Sequence, residues 1–334
     1  QTVRVTRLST GEADTVSSTE ILRFSNIDLY VFGAQSSYAS VTATITAAPA
    51  GNGVLLAPAS GGSAYTTIPV NKNLTLVGGD PATTEINGGT NSAITYSGVT
   101  VATLIGLKIT GGTTTTTPAK PAISGFSPTL INTVVIDNGV ATPVAKIESG
   151  TASDVITIVN VGGVAQVTVG NGAALPITNS ATLAIEIVGG SDADTVVIDY
   201  TSGATVFANP IVINGGGGND SFSVDLTGGN PIPSGGLTFN GGDNDNDTLT
   251  VTLDPAVPFS TPVTFNGGAA GDDKIVVVRT QTTTTYGYTN TNDGSIVLFG
   301  LGTINYTGLD PITNTGTSAN AIFNIPTTGN VDVV

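Results

Sequence analysis

The chain has 334 residues, no Cys, His, Met or Trp, and a formal net charge of −15 from 24 acidic and 9 basic residues. These figures exclude disulfides and thiol chemistry, remove the commonest general base, and argue against binding to nucleic acid or anionic lipid. Hydrophobic residues make up 39% of the chain and charged residues only 10%, and there are 44 glycines, a composition that favours strands and turns around a core. No apolar stretch is long enough to predict a membrane span.

Residues 1–35 are predicted to form an N-terminal extension. Residues 3–8 alternate in polarity like a strand, and Gly11 follows them. A segment after this strand resembles the D-T-[LV]-S-x-[VIT]-E-x-[LI]-x-F sequence that accompanies haemolysin-type calcium-binding repeats in secreted bacterial proteins. Six residues carry the resemblance: Asp14, Thr15, Ser17, Glu20, Leu22 and Phe24. The resemblance implies an exported protein, and Gln1 in place of Met predicts a processed or excised chain; a plain strand and turn before the repeats is the alternative.

A helical spacing follows in residues 36–48. Four residues fall at i, i+3, i+7 and i+10: Tyr38, Val41, Ile45 and Ala48. We expect a short amphipathic helix here, ended by Pro49, that caps the open end of a solenoid. Alternate threonines in the same stretch would also suit a strand: Thr42, Thr44 and Thr46.

Residues 54–112 contain short apolar runs separated by Gly, Asn and Pro corners. The pieces are residues 54–58, Tyr65, residues 71–78, residues 86–88 and residues 99–111. Together they resemble the opening of a right-handed parallel β-helix of the pectate-lyase-like kind. That resemblance implies a fold and leaves the role open, because the family mixes enzymes with adhesins.

Four copies of one pattern lie between residues 185 and 278. Each has a β-branched run, a Gly-Gly pair, a corner of small or acidic residues ending in Asp, and a second β-branched run. The pairs begin at Gly189, Gly215, Gly241 and Gly267, so the intervals 215−189, 241−215 and 267−241 are each 26 residues. A fixed period of this size indicates stacked repeats. The sequence therefore predicts an all-β, right-handed parallel β-helix solenoid over residues 36–310, with about 26 residues per turn.

The flanking stretches follow the period less regularly. We predict earlier corners at Gly111, Gly139 and Gly162, and adding 26 to 267 gives 293, where Asp293 precedes Gly294. Residues 113–121 and 282–292 are predicted to be loops. Residues 311–334 lack the Gly-Gly pattern, and we expect them to cap the last turn or to add as a strand to a neighbouring molecule.

Acidic and amide residues gather at the corners of the four copies. The candidate metal ligands are Asp194, Asn219, Asp220, Asp243, Asp245, Asp247, Asp272 and Asp273. Carboxylates stacked on successive turns repel one another, so a cation between them is one solution, and Ca²⁺ accepts such oxygen-only ligands. Residues 215–220 also resemble the G-G-x-G-x-D calcium repeat, although calcium rolls repeat every nine residues. The alternative is that Asp and Asn only shape the corners.

Enzymatic activity of the lyase or hydrolase type would require basic and acidic side chains close together in one site. The basic candidates are dispersed: Lys72, Lys108, Lys120, Lys146, Lys274 and Arg279. Only Asp272 and Asp273 stand beside one of them, Lys274. We therefore predict a protein without enzymatic activity: an extracellular or cell-surface structural or adhesive solenoid, a self-assembling fibre or surface-layer subunit stiffened by calcium. Its predicted partners are further copies, end to end, and a surface polysaccharide. A polysaccharide lyase or glycoside hydrolase of the β-helix type is the alternative.

Overall fold

The computed structural model describes residues 2–6, 13–17, 21–23, 28–32, 40–57, 64–115, 119–131, 133–139, 144–148, 153–170, 172–202, 206–243, 245–278, 280–309, 312–314 and 317–325. The chain is an all-β solenoid of about 8 turns with about 26 residues per turn, 52% strand and 3% helix. The predicted all-β solenoid and its period are therefore confirmed, and its right-handedness stays a prediction. The chain divides into two compact units, residues 1–144 and 145–334.

The first unit contains short strands and one helix. In chain order they are β1 (Thr2–Thr6), β2 (Ala13–Ser17), β3 (Ile21–Arg23), β4 (Asp28–Phe32), α1 (Val41–Ala47), β5 (Gly53–Leu56), β6 (Ile68–Val70), β7 (Leu74–Val77), β8 (Glu85–Asn87), β9 (Ile94–Tyr96), β10 (Ala102–Ile105), β11 (Lys108–Gly111), β12 (Ile123–Ser124), β13 (Thr129–Ile131) and β14 (Thr133–Asp137).

Parallel strands on three faces build the turns of the first unit. One face has the order β13-β10-β7-β5-β4, the second β12-β9-β6, and the third includes β14-β11-β8. Alternate residues point inward, so the registers stack Val54, Leu76, Leu104 and Leu130 in the core. Each such side chain contributes roughly 1.5–3 kcal/mol when it is fully buried.

The chain enters this unit through antiparallel strands. β1 pairs with β2, which carries Asp14, Thr15 and Ser17 of the secretion-associated segment. β3 is antiparallel to β4, and β4 then pairs in parallel with β5, so residues 28–32 belong to the first sheet of turns. Several residues named in the sequence analysis lie outside the described part of the chain: Gly11, Glu20, Phe24, Tyr38, Pro58, Arg279 and residues 326–334 of the C-terminal stretch.

The predicted helix is confirmed as α1. It begins after Ser40, whose Oγ accepts a hydrogen bond from the Ala43 backbone N–H at 3.1 Å. Ile45 and Ala48 are buried in the same cluster as Val54 and Leu56. Tertiary packing of this apolar stripe outweighs the modest helix propensity of the threonines. Its role as a cap stays a prediction.

The second unit continues with longer strands. They are β15 (Val144–Glu148, whose first residue belongs to the first unit), β16 (Val155–Val161), β17 (Val164–Val169), β18 (Leu175–Ile177), β19 (Ala184–Gly190), β20 (Thr195–Ser202), β21 (Ile211–Gly216), β22 (Ser221–Asp225), β23 (Leu237–Gly242), β24 (Thr248–Thr252), β25 (Val263–Asn266), β26 (Lys274–Val278), β27 (Gln281–Tyr288), β28 (Gly294–Leu298), β29 (Gly302–Thr307), β30 (Ile312–Asn314) and β31 (Ser318–Asn324).

Two parallel faces form the turns of the second unit. On one face the order is β19-β21-β23-β25-β29, and on the other it is β16-β20-β22-β24-β26-β30. The pairs Ile211–Leu237 and Leu237–Val263 keep the interval of 26 residues. Phe222 and Phe239 meet from opposite faces with ring centroids 5.0 Å apart, which fills the core between them.

Two inserted hairpins show that two of the predicted corners, Gly162 and Asp293, are wrong. Gly162 lies in the turn of the antiparallel hairpin β16–β17 and is not a solenoid corner. β25 pairs with β29, so the corner after Gly267 is at Gly308 and the interval is 308−267, or 41 residues, which makes the prediction at Asp293 wrong. The hairpin β27–β28 occupies the extra length.

That hairpin also corrects one of the two predicted loops. Residues 281–288 form strand β27, because its four consecutive threonines and two tyrosines have high strand propensity. Near the ends of the other predicted loop, Thr113 and Lys120 exchange two backbone hydrogen bonds of 2.8 and 2.9 Å, and residues 116–118 lie outside the described part of the chain. In the described ranges no helix has the length and apolarity needed to cross a membrane.

Candidate functional site

A row of four aspartates occupies the corner between the two faces of the second unit. Asp194, Asp220, Asp247 and Asp273 come directly before strands β20, β22, β24 and β26, and we call them the aspartate ladder. Their exposed fractions are 2%, 2%, 0% and 0%. Carboxylates are rarely buried without partners, so their contacts decide what this row does.

One oxygen of each ladder carboxylate holds the preceding turn. The Asp194 N–H donates to Asp220 Oδ1 at 2.7 Å, and the Asp220 N–H donates to Asp247 Oδ1 at 2.7 Å. The Asp247 N–H donates to Asp273 Oδ1 at 2.7 Å, and the Asp154 N–H donates to Asp194 Oδ1 at 2.8 Å. Hydrogen bonds to a charged acceptor are stronger than neutral ones. The ladder therefore links successive turns where the corner interrupts the backbone pairing of the sheets.

The second oxygen points at the Gly-Gly pair of the same turn. In the described part of the chain, Oδ2 of Asp220, Asp247 and Asp273 is buried and has no hydrogen-bond partner. A Cβ atom at Gly215 or at Gly241 would lie 2.0 Å from the Oδ2 atom of its own turn. The first glycine of each pair is thus required by the space that the carboxylate fills.

Burial changes the protonation of the ladder. Loss of solvent is the largest cause, and together with the smaller effect of neighbouring carboxylates it raises the pKa of Asp220 to about 7 and that of Asp247 to about 6. The backbone hydrogen bonds described above oppose the rise only in part. The pKa of Asp273 is raised for the same reasons. Protons are therefore bound to this row at pH values where an exposed aspartate is ionised.

The other candidate ligands lie on the outer side of the corner. Asn219 Oδ1 accepts from the Asn246 N–H at 2.9 Å, and Asp243 Oδ1 accepts from the Ala269 N–H at 2.8 Å. These side chains also link adjacent turns. Asn246 was missed from sequence, although it lies 26 residues before Asp272, whose N–H donates to its Oδ1 at 2.7 Å.

Asp245 is the outer residue that meets the ladder. Its Oδ1 atom is buried without a hydrogen-bond partner among the described residues. Its charge raises the pKa of Asp220, Asp247 and Asp273. The structure thus brings together five of the eight predicted ligands, the four ladder aspartates and Asp245. Asn219 and Asp243 are separate acceptors between turns, and Asp272 donates its N–H to Asn246.

The predicted calcium at this corner can be compared with the positions of the acidic side chains. Ca²⁺ takes six to eight oxygen ligands. Within the described ranges, no three or more acidic side chains converge on a point where a metal ion could sit. The Oδ1 atoms of the ladder carboxylates instead accept hydrogen bonds from the backbone of the preceding turn. Calcium at the corner stays a prediction.

A second ladder of side chains runs along the outer surface of strands β21, β23 and β25. Asn240 Nδ2 donates to Asn214 Oδ1 at 2.7 Å, and Asn266 Nδ2 donates to Asn240 Oδ1 at 2.6 Å. Glu186 accepts from Asn214 at one end of the row, and Thr307 donates to Asn266 at the other. The signal in the sequence is the Asn that precedes three of the Gly-Gly pairs at intervals of 26. We call this row the asparagine ladder.

Replacing Asn240 by Leu should lower the free energy of unfolding by about 1–2 kcal/mol. The substitution removes both amide hydrogen bonds of the middle rung and leaves Asn214 Oδ1 and Asn266 Nδ2 without this partner. Urea denaturation of the full chain measures the change. Thr238→Val, on the same outward face of β23, is the control and should cost less; equal losses would contradict a role for the ladder.

The basic residues named as catalytic candidates make structural contacts. Lys72 Nζ donates to the carbonyl oxygens of Thr46 and Ala48, at 3.1 and 3.0 Å, and so holds the end of α1. Lys108 pairs with Glu85 at 3.5 Å, Lys146 pairs with Glu148, and Lys120 donates to Asn91. None of the contacts that these four lysines make is with a residue of the acidic corner.

A polar groove lies beside the second face of the first unit. It is lined by Thr67, Asn91, Ser92, Thr95, Ala119, Lys120, Pro121 and Ser124. No aromatic side chain is among these residues, so the groove lacks the flat platform on which sugar rings stack. A scan against protein-family models and a search of curated proteins both give no match to this chain.

Proposed function

We propose that the chain is a structural or adhesive β-solenoid of the right-handed, pectate-lyase-like kind, exported to the cell surface, where copies associate into a fibre or layer. The observation that carries the proposal is the pair of ladders. Each adds a side-chain hydrogen bond between successive turns to those of the backbone, and ordered turns resist local opening. A stiff stack of this kind suits a mechanical role.

The same contacts favour a structural role over an enzymatic one. A catalytic carboxylate must reach substrate, but the ladder carboxylates are 98% or more covered. The raised pKa values of Asp220 and Asp247 are explained by burial in a repeated corner, so they need no catalytic purpose. The ladder therefore gives no support to the lyase or hydrolase alternative.

Electron microscopy of the purified chain tests the proposal. We expect filaments or sheets in buffer that contains calcium at about 2 mM, a concentration near the affinity range of extracellular sites. The same sample in chelator tests the predicted calcium: assemblies that fall apart would support bound Ca²⁺, and assemblies that persist would assign the contacts to protein alone. Separate particles under both conditions would contradict the assembling role.

A further inference from the structure

The last strand of the second unit leaves one side of its sheet open. β31 stands at the end of its sheet and, among the described residues, pairs on one side only, in parallel with β27. A strand in this position presents backbone N–H and C=O groups that another strand can pair with. The edge is a ready place for one more strand.

Apolar side chains reach the open edge on both faces of the sheet. On the outer face, Thr285 lies between Val297 and Ile322, which are 41% and 47% exposed. On the inner face, Tyr286 lies between the buried Ile296 and Phe323. The Phe323 ring stacks on Tyr286 with centroids 5.1 Å apart, yet Phe323 is 48% exposed. At β31 the inward-facing side of the sheet therefore ends in an aromatic side chain, Phe323, that is half exposed to solvent.

The charge of the chain limits what can cover this edge. Strands β27, β28 and β31 contain no charged residue, whereas the whole chain carries −15. Two copies repel each other over most of their surfaces, and the repulsion is least where a neutral patch meets another neutral patch. A second copy of this chain supplies such a patch, with apolar side chains on both faces of its own β31.

We propose that β31 pairs with β31 of a second copy, antiparallel about a two-fold axis, so that the sheet continues from one molecule into the next. A two-fold contact of this kind needs only one self-complementary strand. It would cover Ile322 and Phe323 of both copies and satisfy the open backbone groups. The inference rests on the proposed function, since it names one of the surfaces through which the copies associate; a fibre also needs a second contact, because a two-fold contact closes into a dimer.

Sedimentation velocity between about 1 and about 100 µM tests this contact. We expect the wild-type chain to form dimers as concentration rises, and more readily at higher salt, which screens the net charge. Ile322→Lys should weaken the dimer at least tenfold, because it places two like charges beside the two-fold axis. The control is Val101→Lys, at a 63% exposed valine of the first unit, which should dimerise as the wild type does.

Hydrogen exchange of the β31 amides adds a second readout. We expect protection that increases with protein concentration; protection independent of concentration would mean that the same chain covers the edge, and it would overturn the proposal. A wild-type chain that stays monomeric, or an Ile322→Lys variant that dimerises normally, would overturn it too. If Ile322→Lys still forms filaments under the microscope, the fibre role survives and the β31 contact fails. If β31 dimers form without filaments, the β31 contact is supported and the fibre role fails.

Discussion

Lowering the pH from about 7 to about 4 should stabilise the second unit, by about 2 kcal/mol after allowance for screening at the corner, or about 5 °C in Tm. In the unfolded chain an aspartate loses its proton near 3.8, whereas folding raises the pKa of Asp247 to about 6 and of Asp220 to about 7. Between these values the folded state binds more protons, so stability falls as the pH rises. The contribution is complete below about pH 4 and is lost as the pH passes through the folded pKa values. Thermal unfolding at pH 4, 5, 6 and 7 measures it.

The substitution Asp247→Asn should remove part of this pH dependence. Asparagine keeps an Oδ1 acceptor for the Asp220 N–H but has no charge to bury, so the variant should be more stable than the wild type at pH 7 and similar at pH 4. Asp225→Asn is the matched control, because Asp225 lies outside the ladder and its Oδ1 also accepts a backbone N–H, that of Thr227. A wild-type chain whose stability rises from pH 4 to pH 7 would show that the ladder is ionised without penalty.

Replacing Gly241 by Ala should cost about 3 kcal/mol, or about 10 °C in Tm. The added Cβ would lie 2.0 Å from Asp247 Oδ2 and 2.7 Å from the Gly267 carbonyl oxygen, so a turn of the ladder has to move. The backbone of Gly241 is not in the left-handed region, so the loss is steric. Differential scanning calorimetry of the full chain measures it.

Gly79→Ala provides the comparison for that substitution. No atom lies within 4 Å of a Cβ built at Gly79, and this exposed glycine also has an ordinary φ. Its replacement should change stability by no more than about 0.5 kcal/mol. Similar melting temperatures for the two variants would mean that the corner yields to a methyl group, which would undermine the role assigned to the Gly-Asp contact.

The regular part of the fold was predictable because one repeat equals one turn. The Gly-Gly pairs from Gly189 to Gly267 recur every 26 residues, and parallel pairing keeps that interval in register. The hairpins were not predictable in the same way. A glycine in a hairpin turn, such as Gly162, has the same local chemistry as a glycine at a corner, and only the pairing of distant strands tells them apart.

The burial of the ladder could not be read from the acidic corners alone. Asp245 and Asp247 differ by two positions in one corner, yet Asp247 is fully buried and Asp245 is half-buried. The deciding feature is position relative to the next strand, since every ladder residue directly precedes one. The spacing from the first glycine varies, from 194−189, or 5, to 247−241, or 6, because the corner takes up an extra residue while the strand keeps its register.

The hydrogen bonds of the aspartate ladder all run in one direction along the chain. Each carboxylate accepts from the turn that comes before it, as Asp273 does from Asp247. A turn that has just been made by the ribosome therefore lacks its carboxylate acceptor until the following turn is in place. Each new turn therefore stabilises the corner of the turn before it by supplying a carboxylate acceptor. The most recently formed turn has no such acceptor for its own corner N–H and is the least stable.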